Sequence, residues 1–418
     1  MNATPNPNAT HPPISPTLWG IIALMVASVA INYIDRGSLS TAGPLLITDL
    51  ALSPAQLGWL LSAFFWSYAL LQVASGWLVD RFEVKWVMAI GFSIWSLATA
   101  ATGLTNSFIT LFLFRLLLGV GESVAYPCYS KIIAAHCSEH QRGRANSLID
   151  AGTKFGPALG TLAGGLLMAS YGWRPIFVVL GLGGLLWLPA WFMWMPRGND
   201  GAQAVENVGP GFAEIVVRPA FWATFTGHFC GNYFWYFLLT WLPSYLVKER
   251  GFTMDTMAVV SAVAFCVTGV TTSVTGWLAD RAIAAGSTPT RVRKACAAWG
   301  LTFATLVVGV DFVHNSTGAM AILMLSCISY GVFASSHWAI PQTIAGPSAV
   351  GKWTGLQNCL ANMSGIAAPA ITGLVVQKTG HFFWAFAVTA GVVLVGAAGY
   401  AFLLGPVQPV VWQARKPA

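Results

Sequence analysis

Five charged side chains stand inside long apolar runs of this sequence, and they are the residues with chemistry to offer. Asp35 and Arg36 are adjacent in the first run; Arg115 and Glu122 share another; Lys154 lies inside a third, four residues after Asp150. A charge at the centre of a membrane helix costs at least about 2.5–3.5 kcal/mol, so a handful of them implies a role. A planar guanidinium holds a carboxylate through two parallel hydrogen bonds, which makes Arg36 a candidate for recognising an anion. The alternative for Arg36 is a structural ion pair with Asp35 or Glu122. Burial favours a neutral carboxyl group, whereas a nearby arginine favours the carboxylate. Occupancy of the arginine by an anion can therefore decide whether Asp35 or Glu122 holds a proton. The alternative for both acids is permanent pairing with Arg115, which stands seven residues, or about 10 Å of helix, before Glu122. Lys154 is a candidate second cationic contact; its alternative is a local helix pair with Asp150, the reading favoured for Asp150 itself.

These readings require membrane helices, and the composition supplies them. Of the 418 residues, 56% are hydrophobic and 8% charged, against roughly 25% charged in soluble domains. So few charges cannot cover a water-facing surface, and the bilayer is the expected partner. Nineteen Trp and 43 Gly agree, since Trp anchors helices at the headgroups and Gly is common in membrane helices. The net charge of +7 is dispersed over short loops, which excludes a nucleic-acid-binding face. Seven Cys, mostly inside apolar runs, show neither metal-ligand spacing nor a disulfide framework. His228 and His337 are assigned neither to a metal nor to a proton relay. No cofactor is expected, the proton serving as coupling ion.

Apolar runs of about 20 residues begin near Leu18, Leu57, Trp86, Phe108, Ala145, Pro175, Phe221, Met257, Ala295, Ala319, Trp353 and Phe382. The expected fold is therefore an all-α polytopic membrane protein with twelve transmembrane helices in two pseudo-symmetric six-helix bundles. Its expected parts are a disordered tail (1–17), a first bundle (18–196), a polar linker (197–218), a second bundle (219–407) and a tail (408–418). The N-terminal tail lacks the basic start of a signal peptide, so the first span is read as retained. About fourteen of the 21 Lys and Arg fall in the loops after even-numbered spans and in the C-terminal tail, and about four on the other side. Both termini are expected to be cytoplasmic. Short loops suggest a bacterial inner membrane.

An internal repeat ties the halves together. Gly76-Trp77-Leu78-Val79-Asp80-Arg81 returns as Gly276-Trp277-Leu278-Ala279-Asp280-Arg281, each copy closing an even-numbered span. Two parallel six-span halves are the architecture of the major facilitator superfamily. Asp80, Arg81, Asp280 and Arg281 are expected to pair with neighbouring helices or cap them, and so to gate the rocking of the halves.

The sequence resembles that superfamily over its whole length and, more narrowly, its anion:cation symporter family of sugar-acid transporters. The resemblance rests on Asn32-Tyr33-Ile34-Asp35-Arg36, on Arg115-Leu116-Leu117-Leu118-Gly119-Val120-Gly121-Glu122 and on Arg142-Gly143-Arg144-Ala145. Trp241-Leu242-Pro243-Ser244-Tyr245-Leu246 and the segment from Gln357 to Ile366 complete it. It implies that Arg36 binds the substrate carboxylate and that the acids at positions 35 and 122 couple protons. Tyr68, Asn232 and Asn362 match positions lining the family's cavity. Tyr33, Gln342 and Asn358 are further in-span polar candidates for substrate hydroxyls, with interhelical hydrogen bonds as the alternative. Two departures stand out. Glu83 replaces a glycine usual after the Asp-Arg pair, and Gly156-Pro157 beside Lys154 is similar to a proline motif of antiporters. The implied function is proton-coupled symport of a small organic anion, an aldonate, hexuronate or aldarate; exchange is the alternative. No nucleophile-base set, metal cluster or nucleotide-binding loop supports an enzyme or a primary pump. No signalling domain supports a sensor. The fold is expected to work as a monomer.

Overall fold

A computed structural model of the chain describes residues 16–137, 139–196, 210–346 and 348–412. Most of the tails (1–15 and 413–418) and most of the linker (197–209) lie outside the described residues. The first six spans are Pro16–Asp49, Pro54–Arg81, Val84–Thr102, Phe108–Ile133, Glu139–Tyr171 and Trp173–Trp194. The second six are Pro219–Lys248, Met254–Ala284, Pro289–Phe312, Ser316–Ala345, Val350–Thr379 and Phe383–Leu403. Among the described residues nine of these are long and apolar enough to cross a bilayer on composition alone. The other three, spans 2, 5 and 7, each pack against a span of the opposite half: span 11, span 8 and span 1 respectively.

Local chemistry fixes where helices start and stop. Span 2 begins with Ser53 Oγ accepting from the Gln56 amide while the Gln56 side chain accepts from the Ser53 amide, with Pro54 at the first helical position. These contacts satisfy N–H groups that have no helical partner. Span 10 starts on Asn315, whose side chain accepts from the Gly318 amide at 2.6 Å. Span 11 stops at Gly380, in the left-handed conformation at φ 76°, which glycine adopts without penalty.

Two boundaries differ from the sequence reading. The first helix starts at Pro16, so two residues of the expected tail are helical. Residues 408–412 of the expected C-terminal tail are held in place: the Val410 amide donates to Ile344 O and Trp412 Nε1 to Ala345 O, both at 2.8 Å. The reason is physical: carbonyls in the last turn of a helix lack intrahelical donors, and this segment supplies them.

The halves meet at the end of the molecule away from the termini. There span 2 lies on span 11 so closely that a Cβ on Gly58 would sit 2.6 Å from Pro369 O. The Ala55 amide also donates to Gln377 Oε1 at 3.1 Å. On the same end span 1 meets span 7 where Gly43 faces Ser244, and span 5 meets span 8 where Gly165 faces Ala258. At the terminal end the repeat residues Trp77, Leu78, Trp277 and Leu278 are exposed. The halves are thus closed on each other at one end, and at the other they part: among the described residues the hydrogen bonds and ion pairs of the terminal end stay within each half. Gly58→Leu should prevent this closure and lower transport at least about tenfold, as overpacking at a close contact does. Cysteine-accessibility labelling of membrane-inserted protein will check it; unchanged labelling at both ends would refute it.

Candidate substrate and proton site

The first span carries Arg36 to the middle of the first bundle, where Nε donates to Glu122 Oε2 at 2.8 Å. Both side chains are buried, 4% and 0% exposed. Three aromatic rings surround the guanidinium. Its carbon lies 4.7 Å from the centre of Tyr33, 4.4 Å from Phe64 and 4.7 Å from Tyr68. Desolvated cation–π contacts of this kind contribute about 2 kcal/mol each. They hold the cation in place without consuming its hydrogen-bond donors. Arg36 Nη2, Glu122 Oε1, Arg115 Nε and Asn32 Oδ1 are buried with no hydrogen-bond partner among the described residues. Such groups are costly unless something satisfies them, and here they converge on one cluster able to take an anion and a proton.

Glu122 owes its position to a break in span 4. The helix Phe108–Glu122 ends on it, and a second helix, Ala125–His136, starts three residues later. Spans 10 and 11 are interrupted as well, at 335–338 and after Ala361, beside His337 and Asn362. Broken membrane helices are tolerated where they line a cavity.

Arg115 does not pair with either acid. Its guanidinium carbon lies 5.7 Å from the centre of Phe64, on the ring that also touches Arg36. Asp35, buried beside Arg36, makes no ion pair among the described residues; its charged neighbours are Glu122 and Arg115. Tyr33 and Tyr68 stand in the ring around Arg36. On the second half, Tyr236 OH donates to Asn362 Oδ1 at 2.6 Å, and the Tyr236 ring packs on Phe65 of the first half at 4.5 Å. Asn362 Nδ2 donates to Asn358 O at 3.0 Å. Asn232 is half-buried one turn before Tyr236. Lys154 Nζ lies 5.3 Å from the centre of Trp235, reaching across to the second half, and makes no ion pair with Asp150.

One expected site residue is not brought in. Gln342 lies in the final turn of the helix Ala339–Ala345 and is exposed. The break at 335–338 restarts the helix close to the membrane edge, about 18 Å of rise beyond mid-span at 1.5 Å per residue. In the repeat, Arg81 stacks on Trp77 at 5.5 Å and Arg281 on Trp277 at 5.3 Å, the same contact in both halves. Asp280 pairs with Arg293 of span 9 at 3.0 Å. The side chains of Asp80, Arg142 and Arg144 lie outside the described residues.

Sequence reasoning missed Phe64, which gives no chemical signal in an apolar run. It also missed the link from His228 to Gln357. Trp353 Nε1 donates to Gln357 Oε1 at 3.2 Å, so the Gln357 amide nitrogen donates to His228 Nδ1 at 3.1 Å. The rings of His228 and His337 are 5.0 Å apart.

Twelve spans in two halves, parted at one end over a buried charged cluster, define a multi-pass membrane transporter. Residues 25–346 match the family model described as Major Facilitator Superfamily, and the chain belongs to that superfamily. It is 28% identical to the hexuronate transporter of Bacillus subtilis (strain 168), over 95% of this chain and 97% of that one. It is 27% identical to the probable galactarate/D-glucarate transporter GudP of the same organism, over 95% of this chain and 94% of that one. A solved bacterial homologue of the human lysosomal transporter Spinster, in an inward-facing and occupied conformation, shares the fold with a TM-score of 0.79. Its identity is 19%, over 94% of this chain and 97% of that one.

Removing one partner of a buried ion pair costs about 3–5 kcal/mol. Arg36→Met alone should therefore lower the thermal unfolding temperature of the purified protein. Arg36→Met combined with Glu122→Gln should restore most of that loss, and neither variant should transport. Restored transport in the double variant would show that the pair is structural only.

Proposed function

We propose that the protein is a proton-coupled symporter of a small organic anion, a sugar acid of the aldonate, hexuronate or aldarate type, working by alternating access. The observation that carries this reading is the buried pair between Arg36, the anion-binding candidate, and Glu122, a proton-binding candidate. A substrate carboxylate competes with Glu122 for the same guanidinium. Once displaced, Glu122 is a buried carboxylate without a counter-charge, and a proton neutralises it. Substrate and proton then enter together. Asp35, with no ion-pair partner among the described residues, is the second proton site, and Arg115 acts electrostatically on both acids. Tyr33, Tyr68, Asn232, Asn358 and Asn362 orient the substrate's hydroxyl groups. Asp80, Arg81, Asp280 and Arg281 gate the parted end. The relatives named for hexuronate and for galactarate and glucarate support the substrate class.

In this reading the protein lies in a bacterial inner membrane with both termini in the cytoplasm, so the parted end faces inward. It acts as a monomer, with the proton as coupling ion and no cofactor. Exchange is the second reading. Lys154 carries a charge with no ion-pair partner among the described residues, and an uncompensated cation would resist return of the empty carrier through the membrane.

The two readings separate in lightly buffered, energy-depleted cells to which sugar acids are added singly. Symport predicts alkalinisation of the medium with one class of anion, and its loss in Asp35→Asn. Absence of any pH change, with labelled anion still exchanging, would replace symport by exchange. Preloaded substrate should accelerate uptake several-fold under exchange and leave net accumulation unchanged.

A further inference from the structure

We infer that the cavity has two cationic poles, Arg36 and Lys154, and selects a dianion: a dicarboxylate of the aldarate class over a monocarboxylate aldonate. The inference rests on the sugar-acid reading above and narrows it.

Spans 1 and 5 lie side by side and run in the same direction, and their contacts fix the register. A Cβ on Gly152 would meet Val29, and one on Gly156 would meet the Tyr33 Cβ at 2.9 Å. Pro157 lies against Gly37. Lys154 therefore stands level with residue 31, about five residues of helix from Arg36. At 1.5 Å per residue the two backbone positions are offset by about 7–8 Å along the membrane normal. Lys154 is the pole nearer the parted end.

Each pole lies within electrostatic reach of span 7. Lys154 Nζ sits 5.3 Å from the Trp235 ring, and Arg36 acts electrostatically on Tyr236. The poles differ in how they are neutralised. Arg36 has Glu122 at 2.8 Å. Lys154 has no carboxylate within ion-pair distance among the described residues; around it lie Trp235 and, within electrostatic reach, the imidazoles of His228 and His337. Its Cβ faces Gly269 of span 8, where a Cβ added to the glycine would lie 3.2 Å away, so the side chain starts in the seam between the halves.

A half-buried ammonium with no carboxylate at ion-pair distance among the described residues attracts an anion more strongly than a fully solvated one does. A monocarboxylate can satisfy one pole only and leaves the other bare. An aldarate carries a carboxylate at each end of its chain and satisfies both. Binding across the seam also ties span 5 of the first half to span 7 of the second, so the dianion stabilises the closed, loaded state directly. The preference is for charge at the far end of the substrate, where an aldonate presents a hydroxyl.

The test is competition in proteoliposomes with an imposed proton gradient. Unlabelled galactarate and galactonate compete against uptake of a radiolabelled sugar acid that the protein carries. For the native chain, galactarate should compete at least about tenfold better, the effect of one charge-assisted contact. In Lys154→Gln that ratio should fall to within about threefold of unity, and in Lys154→Arg it should be largely kept. Equal competition by the two acids in the native chain would overturn the inference without need of any variant, as would a ratio that survives Lys154→Gln. If sugar acids are carried without this preference, the two-pole inference alone fails. If no sugar acid is carried or competes, the functional reading beneath it fails as well.

Discussion

The structure depends on one buried ion pair that cannot be both satisfied and idle. Arg36 and Glu122 are desolvated together, and their attraction offsets the cost of burying each charge. The surrounding elements serve that pair. Span 4 breaks after Glu122 to present it, and spans 1 and 2 bring Tyr33, Phe64 and Tyr68 around the guanidinium. Aromatic faces suit this task because they stabilise a cation while leaving its N–H groups free for a ligand. Every group that could satisfy the pair permanently is held back. Arg115 lies over the Phe64 ring instead of on either acid, and Asp35 has no ion-pair partner among the described residues.

The same economy explains the architecture at larger scale. Closure at one end relies on backbone-to-backbone approach at Gly58 and Pro369, which needs no charge and leaves little room for adjustment. At the other end the halves are parted, and the repeat residues are held within their own halves: arginine stacks on tryptophan in each copy, and Asp280 pairs with Arg293. The rigid bundles and the small seam between them fit a rocking motion in which only the seam contacts change.

Much of this was legible in the sequence, and the reasons differ by residue. Membrane helices announce themselves because lipid forbids charge, so among the described residues nine of the twelve spans follow from apolar length alone. Charged residues that violate that rule, such as Arg36 and Glu122, are visible for the same reason. Their pairing was legible only as an alternative: 86 residues separate them, and spacing could not choose between Asp35 and Glu122 for Arg36, nor set aside Arg115, two turns away on Glu122's own helix. The helix ends on Glu122, beside Arg36 of span 1, and nothing in Gly-Glu-Ser-Val signals a break. Phe64 was invisible because an aromatic residue in an apolar run has no distinguishing feature. Gln342 was overread because polarity inside a span was taken as depth, whereas the interruption at 335–338 leaves it at the membrane edge. The docking of residues 408–412 was missed because it rests on the Val410 main-chain amide and the Trp412 indole finding helix-end carbonyls, which composition does not record.

The central claim is that substrate and proton compete through one guanidinium. Its most direct test is proton uptake by purified protein in weakly buffered detergent solution on addition of a transported sugar acid. The account predicts uptake of roughly one proton per bound anion, as linkage requires when binding shifts a titrating group, and loss of that uptake in Glu122→Gln with anion binding retained. Binding without proton uptake in the native protein, or unchanged uptake in Glu122→Gln, would contradict it.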